Sequence, residues 1–547
     1  MRVRTGFFLI GLSTFSYACG GISNCKEDGA KCAEMLNKNA EKCAAAYQLR
    51  QSEKSRKYCV NAIDVVGDQK IAAAIPGLKA VLAVPDSDVP DDKHREEAVK
   101  SLAQIGDASA VPDLVAAINF TAGTSSDPKD KAANLTNEAI AQALGRLKAK
   151  EAVPKLIELT NKSPNNYVVL KSVRSLGQIG AKEAVKPLEK IALEHSNKFM
   201  RKNAVIALGE IGDPSATDTL IQMMFVEYQG VSFYKEASFG LYQIGPATSE
   251  ALMKTMAGEN KEVNAYFESK GGLKTSAIKA KCGFVLGDLR DPRAVEPLLE
   301  AFKEAAEKPD PVVLVYAAAP LGALGDKRAV GPLAKEMLTL DASLRDPMMR
   351  ALNHLGDRSV VPEMIEAMTK EHFVKACMKS GNSKEACTSD QTKASLYGAQ
   401  KAAIDHASNL AGAEHLDAYK KAVEGEEDKD MKEYMQARLK RVEAAGECKM
   451  DAGCWVKKLQ DSDKLIREKA AWELGRIKDK GSLDALAKAL QDKKSEPRSA
   501  AIMAYWAFGD KRAVEAIEKQ LEDEAGMADY VRVNEDLKRL LVHLKRS

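Results

Sequence analysis

The sequence predicts an all-α protein, an α–α superhelix assembled from about thirteen stacked helical hairpins. Three observations lead there. A short phrase recurs along the chain, as in LAQIGDASAVPDL from Leu102, LGQIGAKEAVKPL from Leu176, LGEIGDPSATDTL from Leu208 and LGALGDKRAVGPL from Leu321. The tightest copies return every 31 to 33 residues or so, a period that signals stacked units rather than one globular core. Inside each copy the apolar residues fall at helical spacing.

Counted by the turn position, the units centre on Gly67, Gly106, Lys148, Gly180, Gly212, Gly245, Arg290, Gly325, Gly356, Lys478 and Gly509. In the Gly212 unit, Ala204, Ala207, Leu208 and Ile211 mark one face of a first helix. Glycine then ends that helix in the left-handed conformation, which it adopts cheaply. A second helix follows, with proline early in several copies (Pro112, Pro154, Pro362), where a missing amide is tolerated. Small residues in the first helices (Ala98, Ser172, Ala204, Ala237, Ala317) permit close stacking of neighbours. Pro320 sits inside a first helix and predicts a local bend there.

The pattern R-x-x-A-x-x-A-L-G-x-I-G-D-x-x-A-V-x-x-L, plain from Arg201 to Leu220, resembles bacterial HEAT repeats of the phycobilin-lyase type. Arg56, Arg95, Arg345, Arg467 and Arg498 are placed in the same slot as Arg201. The resemblance implies a HEAT/armadillo-like solenoid over nearly all of residues 50–540. It implies little about activity, because that family includes lyases, hydroxylases and pure scaffolds.

Residues 1–18 combine Arg2 and Arg4, a short apolar run from Phe7 to Phe15, and a small residue before Cys19. This reads as a secretory signal, too short to span a bilayer. Cys19, between Ala18 and Gly20, resembles a bacterial lipoprotein cleavage site, although Ser16 and Tyr17 depart from the usual pattern. The expectation is a lipid anchor on Cys19 and a place in the bacterial cell envelope, on a periplasmic or surface face, with the outer membrane favoured.

The remaining cysteines fit export. Cys377 with Cys387, Cys448 with Cys454, and Cys25 with Cys32 are each close in sequence across a polar loop. Helices over about 30–48 and 54–66 would set Cys43 level with Cys59, whereas Cys32 and Cys43 in one helix lie about 16 Å apart. Those four disulfides are expected, with Cys282 left as a buried small residue.

The predicted organisation is a signal peptide (1–18), an anchor segment and capping helix (19–53) and regular repeats (54–368). Irregular repeats with a disulfide-stapled insertion (369–450) and C-terminal repeats with a cap (451–547) complete it. Polar insertions begin at Thr121, Ala257, Ala306, Thr369 and Glu424, always between repeats and so along one edge.

Recognisable chemistry is sparse. The seven histidines are scattered, and none precedes a glutamate as in the iron-binding motifs of the HEAT-repeat hydroxylases. No phosphate loop, HExxH or GxSxG occurs. With 81 basic and 78 acidic residues the charge is +3, which gives nucleic-acid binding no electrostatic support. No cofactor, metal or catalytic residue is therefore expected, and the chain reads as a non-catalytic scaffold for a protein partner. The alternative is a small-ligand or peptide carrier, or a subunit of a lyase-like enzyme.

The strongest local anomaly is aromatic. Phe225, Tyr228, Phe233, Tyr234, Phe239 and Tyr242 place six aromatics in eighteen residues of a chain that is 5% aromatic. They are the candidate partner-binding residues. The slot six before the turn is polar at Asn61, Lys100, Gln142, Arg174 and Arg350. It is apolar at Ile206, Phe239, Phe284, Ala319, Trp472 and Met503. Something must cover that face, either a partner or a nearby segment, for which residues 257–273 are the obvious choice.

Overall fold

The computed structural model describes residues 22–48, 53–87, 92–120, 122–123, 126–339, 342–379, 381–523 and 531–546. Residues 1–18, expected to form a signal peptide, and Cys19 lie outside the described residues. The fold is all-α, a HEAT/armadillo-like array of helical hairpins, and it divides into two compact units, Met1–Ile211 and Gly212–Ser547.

In the first unit, Gly29–Gln48 caps the array and packs on Glu53–Asp68. First helices His94–Ile105, Pro128–Arg146, Asn166–Ile179 and Lys198–Ile211 then stack in sequence, with shorter second helices such as Val153–Lys162 and Val185–Glu194 behind them. In the second unit the first helices are Tyr234–Ile244, Thr275–Leu289, Pro311–Leu324, Ala342–Leu355, Asp390–Leu410, Lys429–Cys448, Lys464–Ile477 and Ser495–Phe508. A last helix, Val531–Arg546, follows.

Local chemistry explains the repeated phrase. Gly106, Gly180, Gly212, Gly325, Gly356 and Gly509 all have left-handed φ, as the turn requires. The aspartate that follows the turn accepts a backbone hydrogen bond two residues on, for example from Ser109 to Asp107 (2.8 Å) and from Ser215 to Asp213 (3.0 Å). It thereby caps a single 3-10 turn that precedes each second helix, an element that apolar periodicity does not reveal. Pro112, Pro154 and Pro362 open the second helices, where no amide is missed.

One turn position needs correction. Gly67 lies inside the helix Glu53–Asp68, and the left-handed residue of that repeat is Lys70 (φ 53°). Gly67 instead matches the glycine three residues before the turn in other copies, where a side chain would strike the next helix. A Cβ on Gly67 would meet Gln104 Oε1 at 2.3 Å, and one on Gly322 would lie 2.7 Å from the Ala351 Cα. Two glycines thus serve two needs, one conformational and one steric. Gly322→Ala is expected to cost about 1–3 kcal/mol through overpacking, read as a lower thermal midpoint with unchanged circular dichroism.

The recurrent arginine ties units together through carbonyls. Arg95 donates to Leu82 O (3.0 Å) and Ala117 O (2.8 Å) and pairs with Asp86 (2.7 Å); Arg201 donates to His195 O (2.6 Å). Each satisfies acceptors left over at the end of a second helix. Arg56, set by the misplaced Gly67, does something else: its guanidinium lies over the Tyr47 ring at 5.5 Å.

Cys25–Cys32, Cys43–Cys59, Cys377–Cys387 and Cys448–Cys454 are bridged, with Cα separations of 5.0, 5.5, 5.7 and 5.4 Å. Cys282 is a free, buried thiol whose pKa burial pushes up to about 12. Pro320 does not break its helix, which runs from Pro311 to Leu324. Its ring packs where Gly287 leaves room, since a Cβ on Gly287 would come within 2.4 Å of the Pro320 Cβ. No described helix is long and apolar enough to cross a membrane.

Candidate functional site

The aromatic stretch is largely spent on the interior. Phe233 and Tyr242 are buried, and Phe225, Tyr228, Tyr234 and Phe239 are half-buried. Two antiparallel pairs, Glu227–Ser232 and Tyr228–Val231, make a small hairpin whose turn residues Gln229 and Gly230 both have positive φ. Phe225 meets Phe267 edge-on at 4.9 Å, so the helix Lys261–Ser269 of the Ala257 insertion does cover this side. The Lys281 ammonium sits over Phe225 (4.8 Å) and Tyr234 (5.0 Å) and donates to Met224 O (2.8 Å). Burial lowers its pKa. Phe225 and Tyr234 thus hold a lysine of their own chain.

The apolar slot has a second explanation that the sequence did not supply. Within the second unit, Thr275–Leu289, Pro311–Leu324 and Ala342–Leu355 face Ser495–Phe508 and Val531–Arg546 across a cavity of about 440 Å³. Phe284, Ala319 and Met503, all slot residues, line it together with Val315, Pro320 and Trp506. Residues 257–273 do not line this cavity; the last two first-layer helices close it instead. Phe284, Ala319 and Met503 are apolar where two arcs of one unit approach each other, while the polar slot residue Arg350 enters the same wall paired with Asp346. Contacts about 300 residues apart seal that approach: the Tyr242 hydroxyl donates to Arg539 O (2.8 Å), and Arg546 donates to Gln243 O (3.2 Å). Trp506 lies between His543 (4.6 Å between ring centres) and Tyr242 (6.4 Å).

Charged groups are set into this apolar wall. Asp288 pairs with Arg539 (3.0 Å), yet burial pushes its carboxyl up to about 6 against the pull of Arg539. Asp346 accepts from His406 (3.0 Å) and Arg350 (2.7 Å), and the His406 bond foremost draws it down to about 2. His354 stacks on Trp472 at 5.3 Å, and burial beside Arg290 and Arg350 takes it down to about 3, so it is neutral. Arg290 lies 4.5 Å over Trp506, and burial lowers it to about 10. At the mouth, Phe284 (36% exposed) and Tyr316 (45%) meet edge-on at 6.3 Å, and Val312, one turn from Tyr316, is 46% exposed.

Sequence reasoning passed over Arg290, Asp346, Arg350 and Arg539 as site residues. One signal was available: Arg290 stands where the turn favours glycine, and its φ of 52° is left-handed. Among the described residues no group of three His, Cys, Asp or Glu side chains is arranged to hold a metal ion.

Known proteins match the chain in pieces. The HEAT repeats family model matches residues 129–194, 153–227 and 455–532, and the PBS lyase HEAT-like repeat model matches 95–120 and 278–304. These matches support a HEAT-repeat protein. No curated protein matches. Among solved structures, the Kap95:Nup1 complex aligns at 10% identity over 93% of this chain and 81% of the other (TM-score 0.41). Yeast importin-beta (Kap95p) aligns at 10% over 94% and 72% (0.39). Human deoxyhypusine hydroxylase in complex with glycerol aligns at 17% over 53% and 98% (0.21).

Proposed function

We propose that this chain is a non-catalytic, lipid-anchored scaffold of the bacterial cell envelope that binds a protein partner on the cavity-bearing face of its second unit. The observation that carries the reading is the exposed aromatic pair Phe284 and Tyr316 with Val312, standing on a rigid helical wall beside a cavity. Large apolar groups in that setting are characteristic of interaction surfaces. Four disulfides support an oxidising compartment, and the basic-apolar-Cys19 segment supports a lipid anchor.

A photo-crosslinking residue at Tyr316 should yield a discrete protein adduct in intact cells, and one at Lys57 in the first unit should not. Adducts that are equally abundant at both positions, or absent, would remove the reading. Cys19→Ala should release the chain from the membrane fraction; unchanged fractionation would remove the anchor. The cavity volume favours a second reading, a small-ligand carrier, since about 300–1,000 Å³ suits such molecules. Co-purification of one small molecule without a protein adduct would support that instead.

A further inference from the structure

We propose that the second unit's cavity receives an acidic side chain from an extended partner segment, its carboxylate on Arg290 and its apolar neighbours on Phe284 and Tyr316. The proposal rests on the scaffold reading above and names what the partner must carry.

Arg290 is set apart by its position. Lys148 and Lys478 occupy the same turn slot with φ of 50° and 57°, and both side chains are exposed. Arg290 instead turns into the cavity, its guanidinium carbon 4.5 Å from the centre of the Trp506 ring. Three carboxylates share the lining: Asp288 pairs with Arg539 (3.0 Å), Asp346 pairs with Arg350 and His406, and Asp536 is engaged as well. No carboxylate among the described residues forms an ion pair with Arg290. A guanidinium presents a planar fork of N–H donors that can hold a carboxylate through two parallel hydrogen bonds. In an apolar wall that pair is stronger than in water. Arg350 and Arg539 have carboxylate partners within the chain, and an acidic occupant would give Arg290 the ion pair that the lining does not supply.

The apolar surface decides between a peptide and a small acid. It does not stop at the cavity. Tyr316 and Val312, one helical turn apart, continue it along the helix Pro311–Leu324, about 6 Å beyond the mouth. A compact acid would leave that stretch uncovered, whereas a chain with an aromatic or aliphatic residue beside its acidic one covers both.

The test uses the full chain and an array of dodecapeptides with random flanks around a fixed Glu, Gln or Lys. Bound peptides should be enriched in Glu with an adjacent aromatic or aliphatic residue. In solution the best sequence should bind at least about tenfold more tightly than its Gln counterpart, with Trp506 fluorescence as the readout. Arg290→Gly should abolish that preference while keeping the fold, because glycine suits a left-handed turn. Lys478→Gly, the same change at an exposed turn, should leave binding unaltered. No acidic enrichment, or a preference that survives Arg290→Gly, would overturn the proposal. So would competition by benzoate as effective as by the peptide, which would make the cavity a small-acid site. A Tyr316 adduct without carboxylate preference would leave the scaffold reading standing and sink this inference alone.

Discussion

Glu473→Ala is expected to destabilise the second unit by about 3–5 kcal/mol, because it breaks a buried ion-pair network. Glu473 is fully buried and gathers three cations: Lys469 (2.7 Å), Arg476 (2.8 Å) and, on both carboxylate oxygens, Arg358 (2.8 and 2.7 Å). Those cations also collect the carbonyls at the end of the helix Asp390–Leu410. Lys469 donates to Asn409 O (2.7 Å) and Ala411 O (2.8 Å), and Arg358 to Leu410 O (3.2 Å). The carboxylate thus joins three segments across the irregular repeats.

Burial alone would raise the Glu473 pKa, but Lys469, then Arg476 and Arg358, overcome it and hold it down at about 2. Burial also pulls the Lys469 ammonium down. The charged form is still the one its surroundings satisfy, because all three of its partners are acceptors. A carboxyl depressed on folding contributes stability above its unfolded pKa of about 4.5, and that contribution is lost as pH falls toward 2. Denaturant midpoints of wild type and Glu473→Ala should therefore differ most above pH 5 and converge as the pH approaches 2. Equal midpoints at pH 7 would refute the account.

The second large effect is expected at the closing helix Val531–Arg546. Leu537, Leu540 and Leu544 are fully buried, on one face of that helix. Each Leu→Ala exchange in a packed core costs about 2–5 kcal/mol, so the triple exchange should undock the helix. Undocking would release the Arg546 contacts with Tyr242 and Gln243, the tilted His543 ring contact with Trp506 and the Arg539–Asp288 pair together. Amide hydrogen exchange should then rise along Tyr234–Ile244 and Ser495–Phe508 while the hairpins near Gly180 keep their protection. Protection unchanged in Tyr234–Ile244 would show that the closing helix does not hold that segment.

What the sequence made legible follows from the range of each interaction. The recurrent Leu-Gly-x-Ile-Gly-Asp phrase encodes contacts within a hairpin and with the next one, so hairpin, turn and stacking could all be read from it. The bridged cysteines lie within 16 residues of each other, close enough for helix geometry to choose partners. The register error at Gly67 arose because two glycines with different duties lie three residues apart, and that copy keeps only the steric one. The cavity depends on packing between residues about 150 to 250 positions apart, which no local pattern specifies. It surfaced only as an unexplained run of apolar slot residues, Phe284, Ala319 and Met503. Arg290 was visible as an exception to the turn rule, but its direction is set by Trp506, which the local sequence does not announce.

The contact between Arg546 and the end of the helix Tyr234–Ile244 also imposes an order of events. Every stacked hairpin can settle on the one made just before it, so most of the unit forms as the chain is synthesised. The segment around Tyr242 is different: its covering helix is translated about 300 residues later. Until then Tyr242 is without that cover, and Gly245, whose missing Cβ makes room for the Arg546 guanidinium, faces an empty place. Joining ends so far apart carries a loop-closure cost that nearest-neighbour stacking does not. Completion of the second unit is consequently a late, separate step, and a chain halted before Val531 would hold most of its repeats but lack the helix that completes the closure.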